Sequence, residues 1–361
     1  MPTHSSLTLP VAHAASAFAA CSYVAVLYLF RSTRTYPLQL DPLGRRLDRL
    51  HPDILRARLC AVSLSSFASL ALVGLLARTC TSSSTTSVSV GESVHQTLLL
   101  TGLKTAHIQT PWEYARLWMQ PVVLTAILFW GVLYTLWFLE PSSTQVESSF
   151  SLDIYLLRAL VLGPFCEEVV FRACVLAFHL LVHPANQLSK FHLIFATPLW
   201  FGFAHVHGVW ETYRSLGATR HALKLATMQT TVQFIYTTIF GWYAAFIYLR
   251  TGSVISATLC HSFCNYMGLP PIFEAMQRFP HKRSCQCPPP LPASFFLLFL
   301  GVIVLCVCAD GLSNLTICFR PLDTLVAIVF HYLIGVFGFA FLVHRWATQP
   351  RIFPSSPPFW P

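Results

Sequence analysis

The chain has 361 residues, of which 55% are apolar and only 10% charged, with a formal net charge of +9. A soluble domain carries about 25% charge, so an ordinary soluble enzyme is excluded. The basic residues lie between apolar runs rather than in one stripe, which argues against nucleic acid as a partner.

A spanning helix needs roughly 17–25 mostly apolar residues. The first candidate is Val11–Phe30, read as a retained helix because it lacks the basic flank and cleavage site of a signal peptide. A segment from Arg31 to Arg58 follows, with seven arginines against three aspartates. The next candidate is Leu59–Ala77, then a Ser/Thr stretch around Thr81–Thr86 and a short amphipathic run, His95–Thr101. Further spans are expected at Pro121–Leu139, Leu160–Leu181, Phe191–His205 and Met228–Leu249. After a tight turn at Arg250–Ser253 come Val254–Leu269, Ala293–Ala309 and Leu325–Val343. The expected fold is an all-α polytopic membrane helix bundle of about eight or nine transmembrane helices. Its N-terminal helices fall within residues 1–150, a helical core within 151–270 and the last helices within 271–361. No internal repeat marks a second domain.

The positive-inside rule puts the Arg31–Arg58 loop in the cytosol. Alternation then puts Arg214, Arg220 and Lys224 there, with Arg278, Lys282 and Arg283, and the tail with Arg345 and Arg351. The sequon Asn314-Leu315-Thr316 falls on the lumenal side, as glycosylation requires. In this topology Glu167, Glu168, His205, His261 and Asn265 lie at similar depth towards the cytosol.

The chemistry centres on Gly163-Pro164-Phe165-Cys166-Glu167-Glu168-Val169-Val170-Phe171-Arg172. A charge at mid-membrane costs roughly 2.5–3.5 kcal/mol on insertion scales, so two acids and an arginine in an apolar run mark a functional site. Pro164 suits the first turn of a helix. Glu168 and Arg172, at i,i+4, can pair along one face as a buried structural pair. Glu167 points about 100° away and is left to act as a general base on water. His205 ends an aromatic-rich helix. His261 and Asn265 share a helix face and could hold a developing oxyanion. Structural readings stay open beside these: an ion pair that fixes helix packing, an interfacial histidine, an interhelical hydrogen-bond pair. A thiol nucleophile among Cys166, Cys260 and Cys264 is conceivable, although buried cysteine is usually an inert hydrophobe. Zinc held by Glu167, His205 and His261 is the minority alternative to a cofactor-free site; no H-E-x-x-H occurs. Intramembrane carboxylates also mark ion paths, so a transporter is a further reading, as is a non-catalytic membrane protein whose polar helix faces bind a partner or lipid.

Glu167-Glu168-x-x-x-Arg172, Phe201-x-x-x-His205 and His261-x-x-x-Asn265 together resemble the motif set of the type II CAAX prenyl endopeptidases, the Ras-converting intramembrane glutamate proteases. The resemblance covers about Arg158–Leu269. It implies that Glu167 takes a proton from water positioned by His205. His261 and Asn265 would stabilise the oxyanion, with Glu168 and Arg172 in support. The implied partners are farnesylated or geranylgeranylated CAAX proteins such as Ras-like small GTPases, met at membrane lipid. The implied compartment is the endoplasmic reticulum membrane, with the active site facing the cytosol.

Overall fold

A computed structural model describes residues 6–35, 51–81, 89–105, 108, 110–139, 153–269 and 324–349. Among the described residues there are helices and turns but no strand; the one β-type pairing is an isolated bridge between Leu7 and Val182. In chain order the helices are α1 (Leu9–Leu29), α2 (Pro52–Thr81), α3 (Val90–Leu100), α4 (Pro111–Leu128) and α5 (Trp130–Tyr134). Then come α6 (Ile154–Leu157), α7 (Gly163–Glu168), α8 (Val175–Leu180), α9 (Lys190–Phe195), α10 (Leu199–Ala204) and α11 (Gly208–Ser215). The last are α12 (Arg220–Thr251), α13 (Val254–Met267) and α14 (Thr324–Thr348).

Four of these, α1, α2, α12 and α14, are long and apolar enough to cross a membrane; α4 and α5 form a fifth if their 74° bend lies within one span. The expected Ala293–Ala309 span, the sequon and the cluster Arg278–Arg283 lie outside the described residues.

The spans expected from Leu59 and Met228 start earlier, at Pro52 and Arg220, and three others have different bounds, each for a local reason. The span expected from Pro121 starts at Pro111 instead. Thr110 and Glu113 form a reciprocal capping box there, a stronger start than an interior proline. Phe191–His205 is two short helices, because Pro198 disfavours the helical conformation of the residue before it. Leu160–Leu181 belongs to one helical run from Ile154 to Leu180, interrupted by wider i→i−5 turns at Arg158–Leu162 and Val169–Cys174. The tight turn at Arg250–Ser253 is present. Gly252, at φ 63°, caps α12 in the left-handed region that glycine tolerates, and α13 starts at Val254.

The chain divides into two compact units: Met1–Gln109, Leu152–Ser262 and Arg351–Pro361 in one, Thr110–Ser151 and Phe263–Pro350 in the other. The core of the first is the middle of the Ile154–Leu180 run, where Val169 to Phe178 are essentially sealed from solvent. Helix α1 packs on that run and on α2, burying a stripe of small residues, Ala12, Ala15, Ser16, Ala19 and Ala20. In lipid, helices associate by close van der Waals fit rather than by a hydrophobic drive, and small residues permit that approach. Phe18, Leu64, Phe67 and Leu75 face outward, as side chains in contact with acyl chains should. In the second unit α14 packs on α4 and α5, with Tyr134 stacked on His331 at 3.7 Å.

Candidate active site

Of the two wide turns, the one at Arg158–Leu162 precedes both acids and decides where they point relative to the start of the run. Each adds about one residue to a helical turn, so the side chains beyond it are rotated by about 100° relative to an uninterrupted helix. The first is closed by the Gly163 N–H, which donates to the Arg158 carbonyl five residues back. That carbonyl comes so close to Gly163 that a Cβ there would collide with it. Pro164 therefore follows a wide turn inside a continuous run; it does not open a helix, as its position in the sequence suggested. The wider turn relieves the clash that a proline ring makes with the carbonyl four residues earlier.

Glu168 and Arg172 are fully buried, with Arg172 Nη1 3.1 Å from Glu168 Oε1. The pair is close enough for charge attraction but not aligned for a hydrogen bond. The guanidinium finds its other partners in aromatic faces, 4.3 Å from the Phe201 centroid and 5.6 Å from that of Phe240. Glu168 Oε1 also lies 2.8 Å from His261 Nδ1. Glu168 is therefore more than half of a structural ion pair, because it accepts from the Nδ1–H of His261 and orients the ring. His261 Nε2 then faces Glu167 Oε2 at 3.7 Å. The imidazole sits between the two adjacent carboxylates, and as an imidazolium it donates towards both.

Glu167 is the more accessible acid, with its side chain 25% exposed against 0% for Glu168. It lines a cavity of about 230 Å³ shared with Tyr23, Arg58, Arg158, His205 and Glu211. That space has room for several water molecules. His205 caps α10, and its Nδ1 lies 2.8 Å from the Phe201 carbonyl. A carbonyl only accepts, so the proton is on Nδ1 and the neutral ring keeps an accepting Nε2. Phe201 meets both histidines edge-on, at 4.7 Å from His205 and 6.1 Å from His261.

The structure thus gathers Glu167, Glu168, Arg172, His205 and His261 around one cavity and its wall. Asn265 lies one turn beyond His261 on α13; it is exposed and does not line the cavity. Cys166 is buried and turned towards Ser63 of α2 at 3.7 Å, away from the cavity. As for a metal, zinc takes donors converging at about 2.0–2.2 Å. Here the two nitrogens of His261 face different carboxylates. Among the described residues no three His, Cys, Asp or Glu side chains group as a metal-binding set.

Three residues of the rim carried no local signal. Arg58 Nη2 lies 2.5 Å from Glu211 Oε1, and the Tyr28 hydroxyl donates to the same oxygen at 3.1 Å. The Nε of Arg58 also donates to the Thr33 carbonyl at 2.8 Å. Partners 153 and 183 residues apart leave no spacing to read. Burial alone would push the Glu211 carboxyl up, but the hydrogen bond and charge of Arg58 hold it below its ordinary value. His207, beside it, is pushed down mainly by burial.

The family model "Type II CAAX prenyl endopeptidase Rce1-like" matches residues 149–267. Among curated proteins, the chain is 33% identical over 320 residues to CAAX prenyl protease 2 of Homo sapiens, covering 83% of this chain and 86% of that one. It is 33% identical over 190 residues to the probable CAAX prenyl protease 2 of Schizosaccharomyces pombe, 52% of this chain and 64% of that one. To CAAX prenyl protease 2 of Saccharomyces cerevisiae it is 27% identical over 266 residues, 71% and 80% of the two chains. No solved structure matches.

Proposed function

Because this chain belongs to the type II CAAX prenyl endopeptidases, we propose that its cavity hydrolyses prenylated CAAX C-termini with water activated by Glu167. The chain is a multi-pass membrane protease acting on prenylated CAAX proteins.

Glu167 takes a proton from a water in the cavity, and His205, through its free Nε2, fixes that water's other hydrogen. The resulting hydroxide attacks the carbonyl carbon of the prenylated cysteine. The oxyanion is met by His261, held in orientation by Glu168. As the C–N bond breaks, Glu167 returns the proton to the leaving nitrogen. A cysteine carboxylic acid and a tripeptide amine result and ionise to carboxylate and ammonium, so atoms and charge balance without a cofactor. Arg172, 3.1 Å from Glu168 Oε1, holds that carboxylate in place as the acceptor for His261. The prenyl chain adds about 0.8 kcal/mol per buried CH2, which holds the cysteine at membrane depth while the tripeptide enters the aqueous cavity.

The observation that carries this reading is the 3.7 Å approach of Glu167 to His261 on the wall of a cavity that also admits His205. We place the active site towards the cytosol of the endoplasmic reticulum, with Ras-like GTPases among the substrates and membrane lipid around the bundle. We set the full count at eight or nine spans, the Ile154–Leu180 run being one of them. The test is release of the tripeptide from a farnesylated peptide by purified protein. Glu167→Gln should lower kcat by at least ~10²–10⁴, the usual worth of a positioned base, without loss of folded protein. Retained turnover in that variant, or turnover abolished by chelation and restored by zinc, would overturn the glutamate mechanism.

A further inference from the structure

We propose that Arg158 is the specificity residue that binds the substrate's C-terminal α-carboxylate. The inference rests on the reading of the cavity as a CAAX peptidase site and goes beyond its reacting groups.

The first ground is placement. Arg158 and Glu167 both line the cavity, although they are nine residues apart. In an unbroken α-helix nine residues make about 900°, which puts two side chains on opposite faces. The wide turn at Arg158–Leu162 lies between them. It removes about one residue's worth of rotation and leaves the two side chains about 80° apart. The same turn that Gly163 permits therefore brings the arginine round to the side of the base.

The second ground is distance. A rise of 1.5 Å per residue separates the two positions by about 12–13 Å along the helix. Three residues in extended conformation span about 10–11 Å. A peptide with its scissile carbonyl at Glu167 and its chain running back along this helix thus carries its terminal carboxylate to the level of Arg158.

The third ground is charge. Three arginines stand in or behind the cavity wall. Arg172 is sealed against Glu168 and two phenyl faces. Arg58 is taken by Glu211 and the Thr33 carbonyl. Arg158 is exposed, and among the described residues it has no carboxylate partner. A substrate carboxylate entering beside Glu167 meets repulsion unless a cation stands at its end of the cavity. A guanidinium also offers the two-pronged donor geometry that a carboxylate accepts.

The test compares one farnesylated peptide ending in a free acid with the same peptide ending in a carboxamide. Wild type, Arg158→Gln and Arg158→Lys would be assayed in proteoliposomes. Wild type should cleave the acid with a kcat/KM about 10–100-fold above the amide, the range of a charge-assisted hydrogen bond, with most of the difference in KM. Arg158→Gln should lose that preference by falling on the acid alone, and Arg158→Lys should keep part of it. Equal cleavage of acid and amide by wild type would overturn the assignment and leave the peptidase reading intact. So would a preference that survives in Arg158→Gln, which would point to another cation. An equal fall on both peptides would make Arg158 a packing or lipid-phosphate contact and end the proposal. Failure of wild type on both peptides would instead remove the peptidase reading, and this inference with it. If Arg158→Gln does not reach the membrane folded, the wild-type acid/amide ratio and Arg158→Lys still decide.

Discussion

Glu167 and Glu168 are neighbours in sequence with opposite accessibility, and removing each should have a different effect. Glu168 is the shared partner of Arg172 and His261. Glu168→Ala would leave a buried guanidinium uncompensated, a change that typically destabilises by about 3–5 kcal/mol. A steep fall in detergent melting temperature is therefore expected for Glu168→Ala and a small one for Glu167→Gln, as measured by thermal unfolding of the purified variants. Equal melting temperatures would show that the buried pair does not hold the helices. The acids, His205 and His261 were legible in sequence because each interrupts an apolar run, where a polar group needs a reason. The hold of Glu168 on His261 was not. The i,i+4 spacing to Arg172 accounted for Glu168 locally, and nothing in spacing announces a partner 93 residues on. Tyr23, on the cavity wall, escaped notice because a tyrosine in a spanning helix is unremarkable.

Among the elements, the apolar runs gave away α1, α2, α12, α13 and α14 to within a few residues at most ends. They said nothing of irregularity inside a run. An i→i−5 turn uses the same apolar side chains as an α-turn, and only the Gly163-Pro164 pair hinted at one. Gly163 is where that turn is most exposed to test. Gly163→Ala places a Cβ against the Arg158 carbonyl, so the turn must reopen or convert to an α-turn. A loss of about 1–3 kcal/mol is expected, together with a larger fall in activity than this loss alone explains, because the rotation relating Arg158 to Glu167 changes. Proteolytic stability and tripeptide release, measured on the same preparation, separate the two effects. Full activity in Gly163→Ala would show that the wide turn has no part in shaping the cavity.

At the scale of the whole molecule, the first unit is held across its sequence by the Arg58–Glu211–Tyr28 cluster, which joins α1, α2 and α11. Glu211 is held below its ordinary pKa of 4.5. A carboxyl whose folded value is depressed adds stability that is present above the unfolded value. That stability is lost as pH falls through the folded one. Stability should therefore be level near neutrality and decline as the medium is acidified below about 4.5. Glu211→Gln should remove about 1.5–3 kcal/mol at neutral pH and flatten that acid limb, as read by melting temperature against pH. An unchanged acid limb in the variant would assign the decline to other carboxylates. None of this could be read from the chain, because helical period reports which face is apolar and not which distant helix receives it.

The same cluster bears on how the molecule is made. The Tyr28 hydroxyl waits for a carboxylate that emerges 183 residues later. At about 5–20 residues per second of synthesis that interval is roughly 10–40 s, whereas individual helices form within about a microsecond. The ribosome, rather than helix formation, thus sets the time at which the rim of the cavity can close. Until then the nascent N-terminal hairpin carries a tyrosine hydroxyl and a guanidinium whose eventual partner has yet to be translated.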